Sequence, residues 1–441
     1  MNDRVILLSA PGLRGGDLAH MPRLRQLTSA GDQAALVPGF PCVTCPVQAN
    51  MTTGYPPSEH GVVANGFFWR DKGEVEMWTA WNDCIQRPQI WDILREHDNS
   101  LTSAVWFPLH SKGCGAESVC TPAPVHNPDG SESLWCFTKP TELYGTLRDA
   151  LGHFPLQHFW GPIANIRSTA WIVDSAVLAA QAYHPRFQYI YLPHLDYAAQ
   201  KFGPDSPQAT TALAELDETL GRLIDGQRAA FGNEEPLWLI AGEYPIVPVS
   251  HVTYPNRILR QAGLLEIRAL ADGEHLDPVT SPAFALVDHQ FSHIFVRDRD
   301  QTVINRVVDL FRGHDGIEEV LTGAELSKYD LVNERSGDVV LISRADSWQA
   351  YYWWLDDAQA PAFARTVDIH RKPGYDPVEL FFDPVARGIP LDATLVRGSH
   401  GAPPHDARQR TVLLSSQRGV LPSHTLADVD VCDLVLRQFG V

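Results

Sequence analysis

The 441-residue chain carries 35 Lys and Arg against 53 Asp and Glu, a formal net charge of −18 at pH 7. That balance excludes partners recognised through overall positive charge: a nucleic-acid polymer needs basic side chains to displace its counterions, and an anionic membrane surface attracts the same groups. With 44% hydrophobic and 20% charged residues the composition is that of a globular protein, long enough for two or three domains or one large α/β domain with an insertion.

The N-terminus reads Met1, Asn2, Asp3, Arg4 before an apolar run of only Val5 to Leu8. It is too short for a signal peptide and acidic where such a peptide is basic, and no later run approaches a membrane span. Seven cysteines, at 42, 45, 84, 114, 120, 136 and 432, are odd in number and widely spread, a pattern of reduced thiols and not of a disulfide framework. Both features give the expectation of a cytoplasmic protein with no membrane insertion; oligomeric state leaves no mark in the sequence.

Val5 to Ser9 is predicted as a buried strand, followed by a glycine-rich turn (Pro11, Gly12, Gly15, Gly16) and a helix over 21–30 closed by Gly31. Further strands are predicted at 102–107, 187–192, 237–241 and 411–415, each short, apolar and followed by a polar turn. Helical periodicity is clearest at 166–183, 206–231 and 426–439, the last with Thr425 to cap its start and Gly440 its end. Such alternation predicts an α/β fold: a doubly wound, mostly parallel sheet with helices on both faces, in which ligands bind beyond the carboxyl ends of the strands. Between 247 and 390 the pattern changes to short elements rich in prolines and aromatics, including Tyr351 to Trp354. This stretch is read as an α+β cap inserted into a core of residues 1–246 and 391–441.

The segment from Phe40-Pro41-Cys42-Val43-Thr44 to Gly54 predicts a turn and a short helix with Thr44 at its N-terminus. Free N–H groups and the helix dipole make that position an anion site and ease ionisation of a hydroxyl that attacks phosphorus. Threonine is also a common N-cap, so this segment alone decides nothing. The continuation does: Thr53-Gly54-Tyr55-Pro56-Pro57, Glu59-His60-Gly61 and Asn65-Gly66 follow in order. The whole run closely resembles the nucleotide pyrophosphatase/phosphodiesterase branch of the alkaline phosphatase superfamily. Similarity continues through Tyr191 to Asp196, Phe202 to Asp205, Asp288-His289-Gln290 and Gly398-Ser399-His400-Gly401, essentially the whole chain. The resemblance implies an alkaline-phosphatase-like fold, a nucleophile at Thr44 that forms a phospho- or nucleotidyl-enzyme, and Asn65 holding a phosphoryl oxygen.

It also implies two divalent metal ions, held in that family by an Asp after the first strand, an Asp-x-x-x-His, an Asp-His pair and the His of Gly-x-His-Gly. Here the first position is Pro11, Asp196 is followed four residues later by Gln200, and the pair aligns with Glu243-Tyr244; Asp196 and His400 are unaltered. The expected ligands are therefore Asp196, His400 and Glu243, with Gln200, Tyr244 and His194 as further ligands or supporting groups, for two ions or for one. Zinc, manganese and magnesium are the candidates, since oxygen donors suit the harder ions. A bacterial subgroup of the family with a Leu-Asp-Tyr segment, Gln four residues after its Asp, and a Glu-Tyr pair is similar at these positions.

Other features have plainer readings. Cys42-Val43-Thr44-Cys45 is formally a C-x-x-C pair without the second pair that a zinc site needs, and neither cysteine begins the Cys-x-Pro-x-Arg of sulfatases. His289 and His293 fall within an apparent strand over 283–296 and read as structural. The run Asp368 to Asp376 offers Arg371 and Lys372 for the distal part of an anionic substrate, or an internally paired turn. Tyr351 to Trp354 read as core. The leading expectation is metal-dependent hydrolysis of a phosphodiester or pyrophosphate bond in a small metabolite. The alternatives are C–P cleavage of the phosphonoacetate type and a catalytically silent protein that binds an anionic metabolite.

Overall fold

The computed structural model describes residues 2–126, 132–232, 234–404 and 406–441. Val5–Ser9 (β1), buried throughout, is the middle strand of a nine-stranded sheet. The others in chain order are β2 (Gln33–Val37), β3 (Ser103–Trp106), β4 (Ser118–Pro122), β5 (Cys136–Lys139), β6 (Phe187–Tyr191), β7 (Leu237–Ala241), β8 (Thr411–Ser415) and β9 (Thr425–Ala427), arranged β9-β2-β8-β7-β1-β6-β3-β4-β5. From β7 to β4 the strands run parallel; β8 and β5 are antiparallel to their neighbours.

Strand periodicity sorts the core into two layers. Val5 and Leu7 face one side of the sheet and pack with Val47, Met51, Trp91, Val431 and Val435. Ile6 and Leu8 face the other, against Ile172 and Val173 of the helix Ile166–Tyr183 and Leu216 and Leu220 of the helix Pro207–Phe231. The Ser206 hydroxyl accepts from the Ala209 N–H and caps the start of the second helix. Among the described residues no helix is long and apolar enough to cross a membrane.

Two predicted elements differ. The last helix begins at Asp430, not Leu426, because Thr425–Ala427 pairs along β2 as an edge strand. The stretch 283–296 is a hairpin of Ala283–Asp288 and Phe291–Val296 that turns at His289 and Gln290, with His289 at φ +58°. No glycine marks that turn, so the apolar run reads straight through it. The hairpin joins Val339–Ser343 and Ile317–Thr322 in a separate antiparallel sheet, with its own core of residues such as Phe284, Phe295, Phe311 and Tyr351 to Trp354. Phe40, Val43 and Val63 pack against Phe291, Val340 and Ile342, tying this region to the Thr44 segment.

Candidate active site

Register levels the carboxyl ends of three neighbouring strands: Ser9 pairs with Tyr191 of β6 on one side and Ala241 of β7 on the other. Beyond this edge lie the helix Thr44–Thr53, the helix His194–Phe202 and the turn at Gly242 to Tyr244, where a ligand of a doubly wound sheet belongs. Thr44 opens its helix and Gly54 closes it in the left-handed conformation, φ +75°.

The Thr44 hydroxyl lies 2.8 Å from the phenolic oxygen of Tyr244. The next N–H, of Cys45, donates to Asn65 Oδ1 at 3.0 Å. Pro46 has no N–H, which leaves that of Thr44 as the uncommitted donor of the first turn. Asn65 is itself held by Asp288, whose carboxylate accepts from its backbone N–H (2.8 Å) and from Nδ2 (3.1 Å). His289 Nδ1 donates to the same carboxylate at 2.5 Å. Four rings then form a column from the hairpin side to Thr44: Tyr375 on His289 (centroids 3.6 Å), His289 on His400 (3.8 Å) and His400 on Tyr244 (3.8 Å). His400 Nδ1 donates to the Cys42 carbonyl at 2.8 Å, so its Nε2 presents a lone pair.

Glu243 sits at φ +53°, a conformation that costs a side-chain-bearing residue on the order of 1 kcal/mol and is retained where surroundings demand it. Its Oε1 accepts from Gln48 Nε2 (2.9 Å) and from the Ser9 hydroxyl. Burial pushes its carboxyl up to about 8, with Asp196 adding to the effect; burial likewise pushes Asp196 up to about 7. The Tyr244 and Tyr191 phenols are raised by burial and by these carboxylates, while hydrogen bonding to Thr44 pulls each the other way. Taken alone, both carboxyls tend to keep their protons near neutral pH.

Whether divalent ions suit this site can be judged from its unpartnered atoms. Asp196 Oδ1, Glu243 Oε2 and His400 Nε2 are buried and accept no hydrogen bond, a costly state for acceptors and one that a cation relieves. Yet no three His, Cys, Asp or Glu side chains among the described residues stand close enough to share an ion. Pro11 offers no carboxylate, and Ser9 and Gln48 aim hydrogens at Glu243. An ion here would draw on at most two of Asp196, Glu243 and His400, with water or substrate completing its shell.

The remaining predicted residues fall elsewhere or play other parts. His194 Nε2 is hydrogen-bonded to Glu215 at 2.8 Å. Arg371 is paired with Asp368. Lys372 is buried between Asp376 (2.7 Å) and Glu379 (2.6 Å), so its charge is matched internally and not offered to a ligand. Cys42 and Cys45 are free, buried thiols pushed well above the ordinary range by burial, the opposite of reactive cysteines. His293 is structural, bound to Val63 O and Gly337 N, whereas His289 stands in the site. Sequence reasoning missed Ser9, Gln48, Asp288, His289 and Tyr375 as site residues. Gln48 had a signal, lying four residues after Thr44 on the same helix face; Tyr375 is reached only through the fold.

The sequence profile of the type I phosphodiesterase / nucleotide pyrophosphatase family matches residues 5–376. An uncharacterized pyrophosphatase/phosphodiesterase of Schizosaccharomyces pombe is 24% identical over 275 residues, 60% of this chain and 49% of that protein, so the chain spans about half the length of this relative. Phosphonoacetate hydrolase from Sinorhizobium meliloti 1021, solved with phosphonoformate, is similar with a TM-score of 0.61 at 16% identity, over 98% of this chain and 95% of that one. Murine ectonucleotide pyrophosphatase / phosphodiesterase 5, solved as an inactive variant with AMP, gives 0.63 at 13% identity, over 100% and 96%. At such identities these neighbours establish the fold, alkaline-phosphatase-like α/β. The profile, extending from the first strand to Asp376, carries more: the chain belongs to the type I phosphodiesterase / nucleotide pyrophosphatase family.

Proposed function

We propose that this protein hydrolyses a phosphodiester, pyrophosphate or related phosphate-ester bond in a small metabolite, with Thr44 as nucleophile. The observation that carries the reading is the Thr44 hydroxyl, buried at the start of a helix and oriented by the Tyr244 phenol at 2.8 Å. Thr44 Oγ1 attacks phosphorus and the P–O bond to the leaving group breaks, the leaving oxygen taking a proton. Water then attacks the phosphoryl-threonine, releasing the product and restoring the hydroxyl. The Thr44 N–H and the second hydrogen of Asn65 Nδ2 are the donors for charge that develops on the phosphoryl oxygens. A divalent ion held by two of Asp196, His400 and Glu243, with water and substrate as its other ligands, would supply positive charge that favours the ionised hydroxyl. Murine ectonucleotide pyrophosphatase / phosphodiesterase 5, the AMP-bound neighbour, is inactive as a threonine-to-alanine variant, which supports a threonine nucleophile here.

Acid quenching during turnover of a chromogenic phosphodiester, followed by peptide mass spectrometry, tests this. A phosphoryl ester adduct on the Thr44 peptide is expected, absent in Thr44→Ala; turnover with no adduct and undiminished in the variant overturns the assignment. Phosphonoacetate in place of the diester tests the C–P alternative, whose product is acetate.

A further inference from the structure

Gln200 stands where the family resemblance expects a histidine ligand, but the structure gives its amide a different orientation. The Tyr375 hydroxyl donates to Gln200 Oε1 at 2.6 Å, which turns that oxygen toward the phenol and spends one of its two lone pairs. Nε2 is left buried without a hydrogen-bond partner. Gln200 follows Asp196 by one helical turn, so the two share a face. Neither hydrogen of Nε2 is spent on Asp196 or another acceptor. The flipped amide would turn Nε2 toward the phenol and give up the hydrogen bond that Oε1 accepts there.

Tyr375 is built to hold this orientation. Its N–H donates to Val287 O at 3.0 Å, and its ring lies on His289 at 3.6 Å. Immediately before it, Gly374 fits so closely that a Cβ would come within 2.9 Å of Tyr351 Cβ and of Val287 O. On either side, Lys372 and Asp376 form a buried ion pair that Glu379 completes. The charged run in the sequence therefore locks one phenol in place.

We propose that Gln200 is a substrate-binding residue: with its oxygen pinned by Tyr375, Nε2 donates to a non-bridging oxygen of the phosphoryl group that Thr44 attacks. The inference rests on the hydrolase reading above and deepens it. There an N–H donor neutralises part of the phosphoryl charge. It predicts that Tyr375 acts through Gln200 as a positioning residue.

Gln200→Glu separates donor from ligand, because it removes the hydrogens and adds a carboxylate of nearly equal shape. We expect the affinity for inorganic phosphate, measured by calorimetry on the protein as isolated, to fall by about tenfold or more in Gln200→Glu, and several-fold in Tyr375→Phe, whose amide is free to flip. Metal content by elemental mass spectrometry is expected to stay at the wild-type level in both, with KM for a chromogenic diester raised more than kcat is lowered. Higher metal content with phosphate affinity kept in Gln200→Glu would show a ligand position and overturn the proposal. Wild-type affinity in both variants, or no phosphate binding by the wild type, also overturns it. Should Gln200→Glu fail to fold, Tyr375→Phe, which removes a single oxygen, decides by the same readouts. Phosphate binding requires no turnover, so failure of the Thr44 assignment would show separately, as activity retained in Thr44→Ala.

Discussion

At the scale of single residues, the site is distinguished by where it puts hydrogens. Ser9 and Gln48 direct O–H and N–H groups at the Glu243 carboxylate, and the Tyr244 and Thr44 hydroxyls share a hydrogen bond, in a place where the family resemblance leads one to expect cations. A pH signature follows. Glu243 rises from 4.5 to about 8 and Asp196 from 3.8 to about 7 on folding, so the folded state binds more protons between these values than the unfolded chain does. Stability from these groups is complete below about pH 4 and lost as pH rises through 7 and 8. Chelator-treated protein should therefore melt at progressively lower temperature as pH rises across that window, and Glu243→Gln should flatten the slope. A melting temperature that climbs with pH there contradicts the protonation states described. Thr44 was legible in the sequence because its helix start, glycine stop and downstream motifs lie within one continuous segment. Gln200 was legible as a position, but the orientation of its amide was not, because the phenol that sets it lies 175 residues away.

At the scale of elements, the Thr44 helix and the 283–296 hairpin make the site together. The helix depends on Gly54: at φ +75°, with Cys432 Cβ only 3.2 Å from where a Cβ would be, Gly54→Ala should destabilise by about 1–2 kcal/mol, seen as an earlier urea midpoint; an unchanged midpoint would show that the helix end tolerates strain. The hairpin contributes Asp288, which fixes Asn65 through two hydrogen bonds. Asp288→Ala should lower kcat by about a hundredfold through a loosened Asn65, and steady-state kinetics at wild-type KM and kcat would remove Asp288 from the site. The central strands were readable because residues buried on both faces must be apolar throughout. The hairpin was not, since its turn is made by His289 and Gln290 without the glycine or asparagine that normally signals one.

At the scale of the molecule, a parallel sheet with levelled strand ends supplies the floor of the site, and the second sheet and its loops supply Asp288, His289 and Tyr375 from above. That second region keeps a buried lysine between two carboxylates. Removing one partner of such a cluster leaves unmatched buried charge, so Lys372→Met should cost about 3–5 kcal/mol, measured by urea unfolding; a midpoint equal to wild type would mean that the carboxyls simply protonate. The acidic overall charge fits an architecture in which the groups that would attract phosphate are local, a few N–H donors and a helix start. The most direct measurement is turnover of a chromogenic phosphodiester by wild type and Thr44→Ala at matched metal content, in Mg²⁺, Mn²⁺ and Zn²⁺. Hydrolysis by the wild type and a loss of about a thousandfold or more in the variant are expected; equal rates in the two proteins would rule out Thr44 as the nucleophile.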